Sequence, residues 1–367
     1  MASLPYPPGW FSFVNRRVCR VLTGRRAKQS RVATVRKMDQ AKKNHHYVWG
    51  HYLTRWSSDA TKNVHFTTEK KKIAFDSVRM VAKKRDFYKR TDLDEKQIFL
   101  LRNLSRKSSA HEEQMLVLND FLALQLRGEL YKKIGVKNAE FEALFEASNC
   151  NAMENLHTAH ERRAGPAIEA LAAGDISFLS DATNACQFLL YLAQQMVRTD
   201  ALKRAVSQGQ PRRSELEIFL ADTTDHAWWF YSYMLGMSLG KNLYMTRHEK
   251  TQTLLLNTSL NPFITSDQPV LNIHESVKQG DWSQPEFCDI YYPISPTHAY
   301  VLADSQRFPG GKFTINEDIV NELNIKVATR AKIHLFGTSE AVLKPLLRFI
   351  GTGYPSGRYE DPPLSAS

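Results

Sequence analysis

The chain lacks the hardware of the best-recognised enzyme classes. It has no Gly-x-x-x-x-Gly-Lys loop to cradle nucleotide phosphates, no strand-to-helix dinucleotide fingerprint, no His-Glu-x-x-His and no nucleophile elbow. The Gly-rich stretch GTGYPSG at 351–357 lies in a Pro-containing tail with no helix after it, and reads as a linker. Cysteine is scarce: Cys19, Cys150, Cys186 and Cys288 are far apart, so no Cys-x-x-Cys pair is present to clasp zinc or exchange disulfides, and they read as thiols in a reducing compartment. Long apolar runs are missing too. None reaches the roughly 18 residues that span a bilayer, and no signal-peptide core follows the early charges. The expectation is a soluble, cytoplasmic protein with no membrane contact.

Acidic residues are absent from the first 37 positions, which carry nine Lys or Arg. Pro5, Pro7 and Pro8 and the lack of apolar periodicity mark residues 1–37 as a basic, disordered extension; a transit peptide would look similar, but Met38 stands just before the first motif. Without those nine charges the formal charge of +11 falls to +2. A second basic block, Lys42 to Arg90, sets thirteen Lys or Arg against Asp59, Glu69, Asp76 and Asp86, and from Thr91 onward the chain is net acidic. Basic density of this kind points to an anionic partner, a nucleotide or nucleic acid, because phosphate backbones release counterions when neutralised. The hydrophobic fraction of 43% over 367 residues is enough for a real core.

Residues 63–75, NVHFTTEKKKIAF, contain two short alternating runs around a charged turn, the pattern of a β-hairpin. From about Asp94 to Met245 apolar spacing is helical, as in LVLNDFLALQL and ACQFLLYLAQQMV. After Thr251 short β-like runs return. The pattern predicts an α+β fold: a mixed β-sheet formed by the N-terminal hairpin and the C-terminal strands, packed beside a central helical bundle, all in one domain over 38–346, with an irregular tail from 347 to 367. The two ends of that domain then meet in space.

Five short motifs punctuate the chain: NHHYVWGHYLTRW at 44–56, RDFY at 85–88, QMVRT at 195–199, NPFITSDQPV at 261–270 and YPISP at 292–296. In order and spacing they resemble the bacterial domain-of-unknown-function family 4238. The matching positions are His46, Tyr47, Val48, Tyr52, Leu53 and Trp56, then Asp86, Phe87 and Tyr88, then Gln195, Arg198 and Thr199, then Ser266, Asp267 and Pro269, with Pro293, Pro296 and Asn324 beyond. Trp49 departs from the pattern, where proline is usual. The resemblance runs from about Lys42 to Thr338. It implies no assigned activity, and its bacterial setting suggests phage defence or a toxic effector.

Several of these residues have chemistry to offer. His46 titrates near neutrality and suits a general base or metal ligand; its bland reading is a hydrogen-bonded lock between hairpin and helices. His51 and Arg55 share a face if Tyr52 lies in a helical turn. An Arg198 fork oriented by Gln195, with Thr199 beside it, would grip an anion, or else pair with an internal carboxylate as a strut. Asp267, after Ser266, would bind a divalent metal or orient a base, or else cap its own turn. Glu154, His157 and Glu161 align on one helix face, which reads as solvated surface sooner than a metal site. Asp59, Glu69 and Lys71 imitate a nuclease arrangement only loosely. We therefore expect a polar cleft at the sheet-to-bundle junction lined by His46, Tyr52, Arg55, Arg198 and Asp267, with Gln195, Thr199 and Ser266 at its edge. His46 and Asp267 would be catalytic in a phosphodiester-cleaving or nucleotide-modifying enzyme, with a divalent metal as one option for cofactor. The rival is a non-catalytic binding module in which the same motifs are latches. Full burial of His46, Arg198 and Asp267 among protein partners selects the latch; convergence on an open pocket selects the enzyme.

Overall fold

The computed structural model describes residues 40–57, 61–135, 137–277 and 286–354. The expected extension at 1–37, Asp59 and the tail from 355 onward lie outside these. The chain opens with β1 (Asn44–His46), the short helix α1 (Gly50–Leu53), which tightens into a 3-10 turn over Thr54–Trp56, the hairpin β2 (Asn63–Thr67) and β3 (Ile73–Ser77), and β4 (Lys83–Arg85). The hairpin reverses through Lys71, whose φ of 54° is left-handed, while Thr68 accepts from Lys71 and Lys72 closes back on Thr68.

Seven helices follow: α2 (Glu95–Arg106), α3 (His111–Ile134), α4 (Ala139–Ala172), α5 (Ala182–Val197), α6 (Asp200–Gly209), α7 (Glu215–His226) and α8 (Trp228–Met245). Their starts are written in the sequence as side-chain caps. Asp94 with Gln97 and Ser214 with Glu217 form reciprocal capping boxes, and Asn138, Asp181 and Thr199 each accept from a first-turn N–H. α5 and α8 lie against each other closely because α8 offers no Cβ at two successive turns. A Cβ at Gly236 would stand 2.6 Å from the Gln194 side chain, and one at Gly240 2.8 Å from Leu190.

The remainder comprises β5 (Thr251–Asn257), β6 (Thr265–Ser266), β7 (Leu271–Asn272), β8 (Ile290–Pro293), β9 (His298–Ala303), β10 (Gly311–Ile315), α9 (Glu317–Arg330), β11 (Leu335–Gly337) and α10 (Glu340–Leu343). The fold is α+β, and the N-terminal hairpin does join the C-terminal strands, in an antiparallel sheet of order β3-β2-β11-β6. The single sheet of the sequence reading is corrected, however. The other C-terminal strands form a second, five-stranded sheet, β10-β5-β9-β8-β7, mixed because β10 runs parallel to β5, and β1 pairs with β4 in a separate ribbon. The chain passes between the two larger sheets at Asp267-Gln268-Pro269, where proline has no N–H to extend a ladder.

The five-stranded sheet is buried on both faces, which explains its nearly continuous apolar runs. Leu254, Ile290, Tyr292, Tyr300 and Leu302 point into the core shared with the helices. Their strand neighbours Leu255, Tyr291, Ala299 and Val301 point the other way, onto Val320, Leu323 and Val327 of α9. Among the described residues no helix is long and apolar enough to cross a membrane.

Candidate functional site

The first motif begins on β1, whose register against β4 sets His45 opposite Lys84 and His46 opposite Lys83. Successive strand residues face opposite sides, so only one of the two histidines points inward. It is His45: the Tyr88 backbone N–H donates to its Nδ1 at 2.8 Å, its Nε2 lies 2.8 Å from the Lys42 carbonyl, and its ring stacks on Tyr88. Those partners require Nε2 to carry the proton, and burial lowers its pKa, so it is a neutral lock. His46 is half-buried, with Nε2 3.3 Å from the Arg79 carbonyl; burial, then the nearby Lys83 and Arg198 charges, lower its pKa.

Tyr52 and Trp56 drive α1 and its 3-10 turn into the core. The Tyr52 hydroxyl sits 2.7 Å from both Thr265 Oγ1 and the Pro293 carbonyl, and Trp56 Nε1 donates to the Phe263 carbonyl at 2.8 Å. Tyr52 also stacks on Tyr292, 5.0 Å between ring centres. Arg55 reaches Glu169 of α4 at 2.5 Å, with His51 3.4 Å from the same carboxylate oxygen. Trp49, the departure from the family pattern, packs on His51 and Tyr191.

Arg198 closes α5 in full burial. Its NH2 donates to Glu161 Oε1 at 2.6 Å and to Gln195 Oε1 at 2.5 Å, while Gln195 Nε2 donates to the Tyr47 carbonyl and the Tyr88 hydroxyl to the Arg198 carbonyl. The guanidinium thus ties α4 to α5, and Gln195 and the Arg198 carbonyl extend the tie to the segments carrying the first two motifs. Thr199 caps α6 and donates to Gln268 Oε1; Gln268 in turn donates to the Met196 carbonyl. The Glu154, His157 and Glu161 face of α4 is not the solvated surface expected of it. His157 is 1% exposed, with neither ring nitrogen hydrogen-bonded among the described residues, and burial holds its pKa well below the usual value. Burial, with the neighbouring Glu161 carboxylate, pushes the Glu154 carboxyl up to about 7, and burial drives His160 down to about 3. The face turns inward because the β1 segment, the Tyr88 loop, α5 and α8 all pack over it.

Asp267 accepts from three consecutive backbone N–H groups, those of Lys332, Ile333 and His334, at 2.9, 2.7 and 2.9 Å, and its own N–H donates to the His334 carbonyl. This carboxylate caps the chain entering β11. Burial pushes its pKa up while those N–H groups hold it down. Ser266 Oγ donates to the Gln268 carbonyl and accepts from the Gln268 N–H, a turn closed on itself. Asn324 grips the preceding loop, accepting from the Ile264 N–H and donating to the Pro262 carbonyl.

The structure therefore brings His46, Gln195 and Arg198 into one electrostatic neighbourhood around Glu154 and Glu161; Tyr52 and Arg55 lie together beside it, linked through Tyr292 and Tyr191, and Asp267 is engaged apart from them at β11. Among the described residues, no group of three or more His, Cys, Asp or Glu side chains is placed to hold a metal ion. A cavity of about 250 Å³ lies between β7 and the end of α9, lined by His274, Glu275, Lys326 and Arg330 among others, and contains none of the candidate residues. Part of the basic block faces the chain's own carboxylates: Lys84 pairs with Asp200, Lys89 with Glu146 and Arg55 with Glu169. Glu69 of the nuclease-like trio is exposed, and Lys71 donates to the Ile350 carbonyl. Sequence reasoning did not single out His45 and Gln268, although they lie within the first and fourth motifs, and it placed Glu161 on a solvated face. Which of these side chains points inward is set only by the strand pairing and the helix packing.

These features define an α+β protein whose signature side chains are mostly buried cross-links between segments distant in sequence. The chain belongs to the DUF4238 family, described as "Protein of unknown function", whose model matches residues 44–341. No curated protein and no solved structure matches it.

Proposed function

We propose that this is a non-catalytic binding protein acting in the cytoplasm, its family motifs serving as structural latches and its basic surface engaging an anionic partner of the nucleic-acid class. The observation that carries the reading is the fate of the candidate groups. Arg198, Gln195, Thr199, Ser266, Asp267 and Tyr52 are all buried and hydrogen-bonded to protein, and His46, only half-buried, lies against the Arg79 carbonyl, so most of the side chains suited to grip or cleave a phosphate are already engaged. The partner class follows from charge. Once the paired cations are set aside, Lys62, Lys70, Lys72 and Arg79 remain exposed around the β2–β3 hairpin with no ion pair among the described residues, and Phe75 stands exposed on the same hairpin. Nine further cations lie in residues 1–37. Lysines beside an aromatic ring suit a phosphate backbone and an unstacked base. The cytoplasmic assignment rests on Cys150, Cys186 and Cys288 being free thiols.

The test measures binding of the full chain to single-stranded RNA and DNA at several salt concentrations, with turnover followed in the same samples with and without magnesium. Binding that weakens steeply with salt, is reduced by Lys70→Glu with Lys72→Glu, and proceeds without turnover is the expected result. Turnover abolished by His46→Ala in a folded protein would overturn the latch reading, and absence of binding at low salt would overturn the partner class.

A further inference from the structure

α3 is apolar on both sides, where a surface helix ordinarily has one apolar and one polar face. Its inner side buries Val117, Leu118, Phe121 and Leu124, with Phe121 edge-on to Trp229 of α8. Its outer side leaves Leu116 65% exposed, Leu126 55%, Leu130 48% and Ile134 63%. Leu116, Ala123 and Leu130 recur every seven residues, and Leu126 and Ile134 stand four residues either side of Leu130, so the stripe is a helical seam and not a scatter. From Leu116 to Ile134 it runs about 27 Å at 1.5 Å per residue.

Charge along the seam says what covers it. The amino-terminal half carries Glu112 and Asp120, Glu113 being turned to Lys241 of α8; the carboxy-terminal half carries Arg127, Lys132 and Lys133, with Glu129 as its one acid. A second α3 laid antiparallel, with a two-fold axis at Ala123, sets Leu116 against Leu130 of the second copy, brings Asp120 opposite Leu126 and beside Arg127 of the second copy, and sets each acidic end against a basic end. The small Ala123 side chain at the axis lets the helices approach. A parallel arrangement would set acid against acid and Arg127 against Arg127. The helix dipoles also oppose each other only in the antiparallel pairing.

We propose that the protein forms a two-fold homodimer through the outer face of α3, paired antiparallel about Ala123. The interface is isologous, so the pairing closes and does not propagate. It is independent of the nucleic-acid reading, and a dimer would present two basic hairpins to one partner.

Sedimentation of the full chain, 42.0 kDa as a monomer, tests this. The wild type is expected to be a reversible dimer, with Leu126→Glu and Leu130→Glu each raising the dissociation constant at least about tenfold, roughly what one buried leucine contributes, while leaving the circular dichroism of the folded chain unchanged. Asp120→Arg weakens the dimer and adding Arg127→Asp restores it. Under mild oxidation Ala123→Cys cross-links two copies, whereas Leu116→Cys does not, because its two copies lie about 21 Å apart along the seam. A monomer at high micromolar concentration, a dimer indifferent to both Leu→Glu changes, or cross-linking through Leu116→Cys in place of Ala123→Cys overturns the proposal.

Discussion

Replacing Arg198 by Met probes the centre of the latch system. The guanidinium stands 2.6 Å from Glu161 and 2.5 Å from Gln195, all three side chains buried. Removing one side of a buried pair leaves the other charge uncompensated and costs about 3–5 kcal/mol, and an unbonded Gln195 carbonyl oxygen adds about 1–3 kcal/mol. Glu161 has an escape, since burial already pushes its pKa up and without Arg198 it takes up a proton. Protonating a carboxyl of ordinary pKa at pH 7 costs about 4 kcal/mol, which caps the charge contribution there. The expected loss is therefore about 4–7 kcal/mol at pH 7 by urea unfolding. The sign of its pH dependence follows from a carboxyl whose folded pKa lies above its unfolded value. The variant's deficit is smallest in acid and grows by about 1.4 kcal/mol per pH unit until the raised folded pKa is passed. Adding Glu161→Gln removes the orphaned charge, so the double variant recovers at least half of the loss and the pH dependence disappears. An Arg198→Met protein within about 1 kcal/mol of wild type, with a flat pH profile, refutes the strut.

Three further outcomes follow from the same structure. Glu154 is held near 7, above its ordinary 4.5, so the stability it confers is present in acid and lost as pH rises between those values. The wild-type advantage over Glu154→Gln falls by up to about 3 kcal/mol across that window, with His157 and His160 common to both proteins and cancelling in the difference. Asp267→Ala leaves three backbone N–H groups at β11 without an acceptor and lowers stability by about 3–5 kcal/mol in chemical unfolding, whereas a catalytic carboxylate would leave stability nearly untouched. Tyr52→Phe strips the hydroxyl that bridges Thr265 and Pro293 and costs about 1–2 kcal/mol, read as a drop in melting temperature.

The α+β class and the hairpin at 63–75 were legible because period-two and period-3.6 patterns record which face is apolar, and the hairpin appears as β2 and β3 where the alternation put it. The division into separate sheets was not, since β6 and β7 are two residues each and carry no periodicity to read. The polar face of α4 was misread for a different reason. Glu154, His157 and Glu161 look the same in a sequence whether they meet water or Arg198, which arrives 37 residues after Glu161. The choice between His45 and His46 was equally closed, because it is made by β1 pairing with β4, some forty residues on, and not by either residue's chemistry.

The pairing of β2 with β11 has a consequence for how the protein is made. Thr67 and Leu335 are bonded across 268 residues of chain. At a translation rate of about 5–20 residues per second, the hairpin waits roughly 15–50 s after leaving the ribosome before its neighbour exists. Throughout that interval β2 presents an open edge with Val64 and Phe66 uncovered, in the company of Lys70, Lys71 and Lys72. A charged cluster beside an unpaired strand discourages intermolecular pairing. The lysine tip of the hairpin thus guards the nascent chain before it serves the finished protein, and shortening the gene from its 3′ end before β11 is completed would leave that edge exposed permanently.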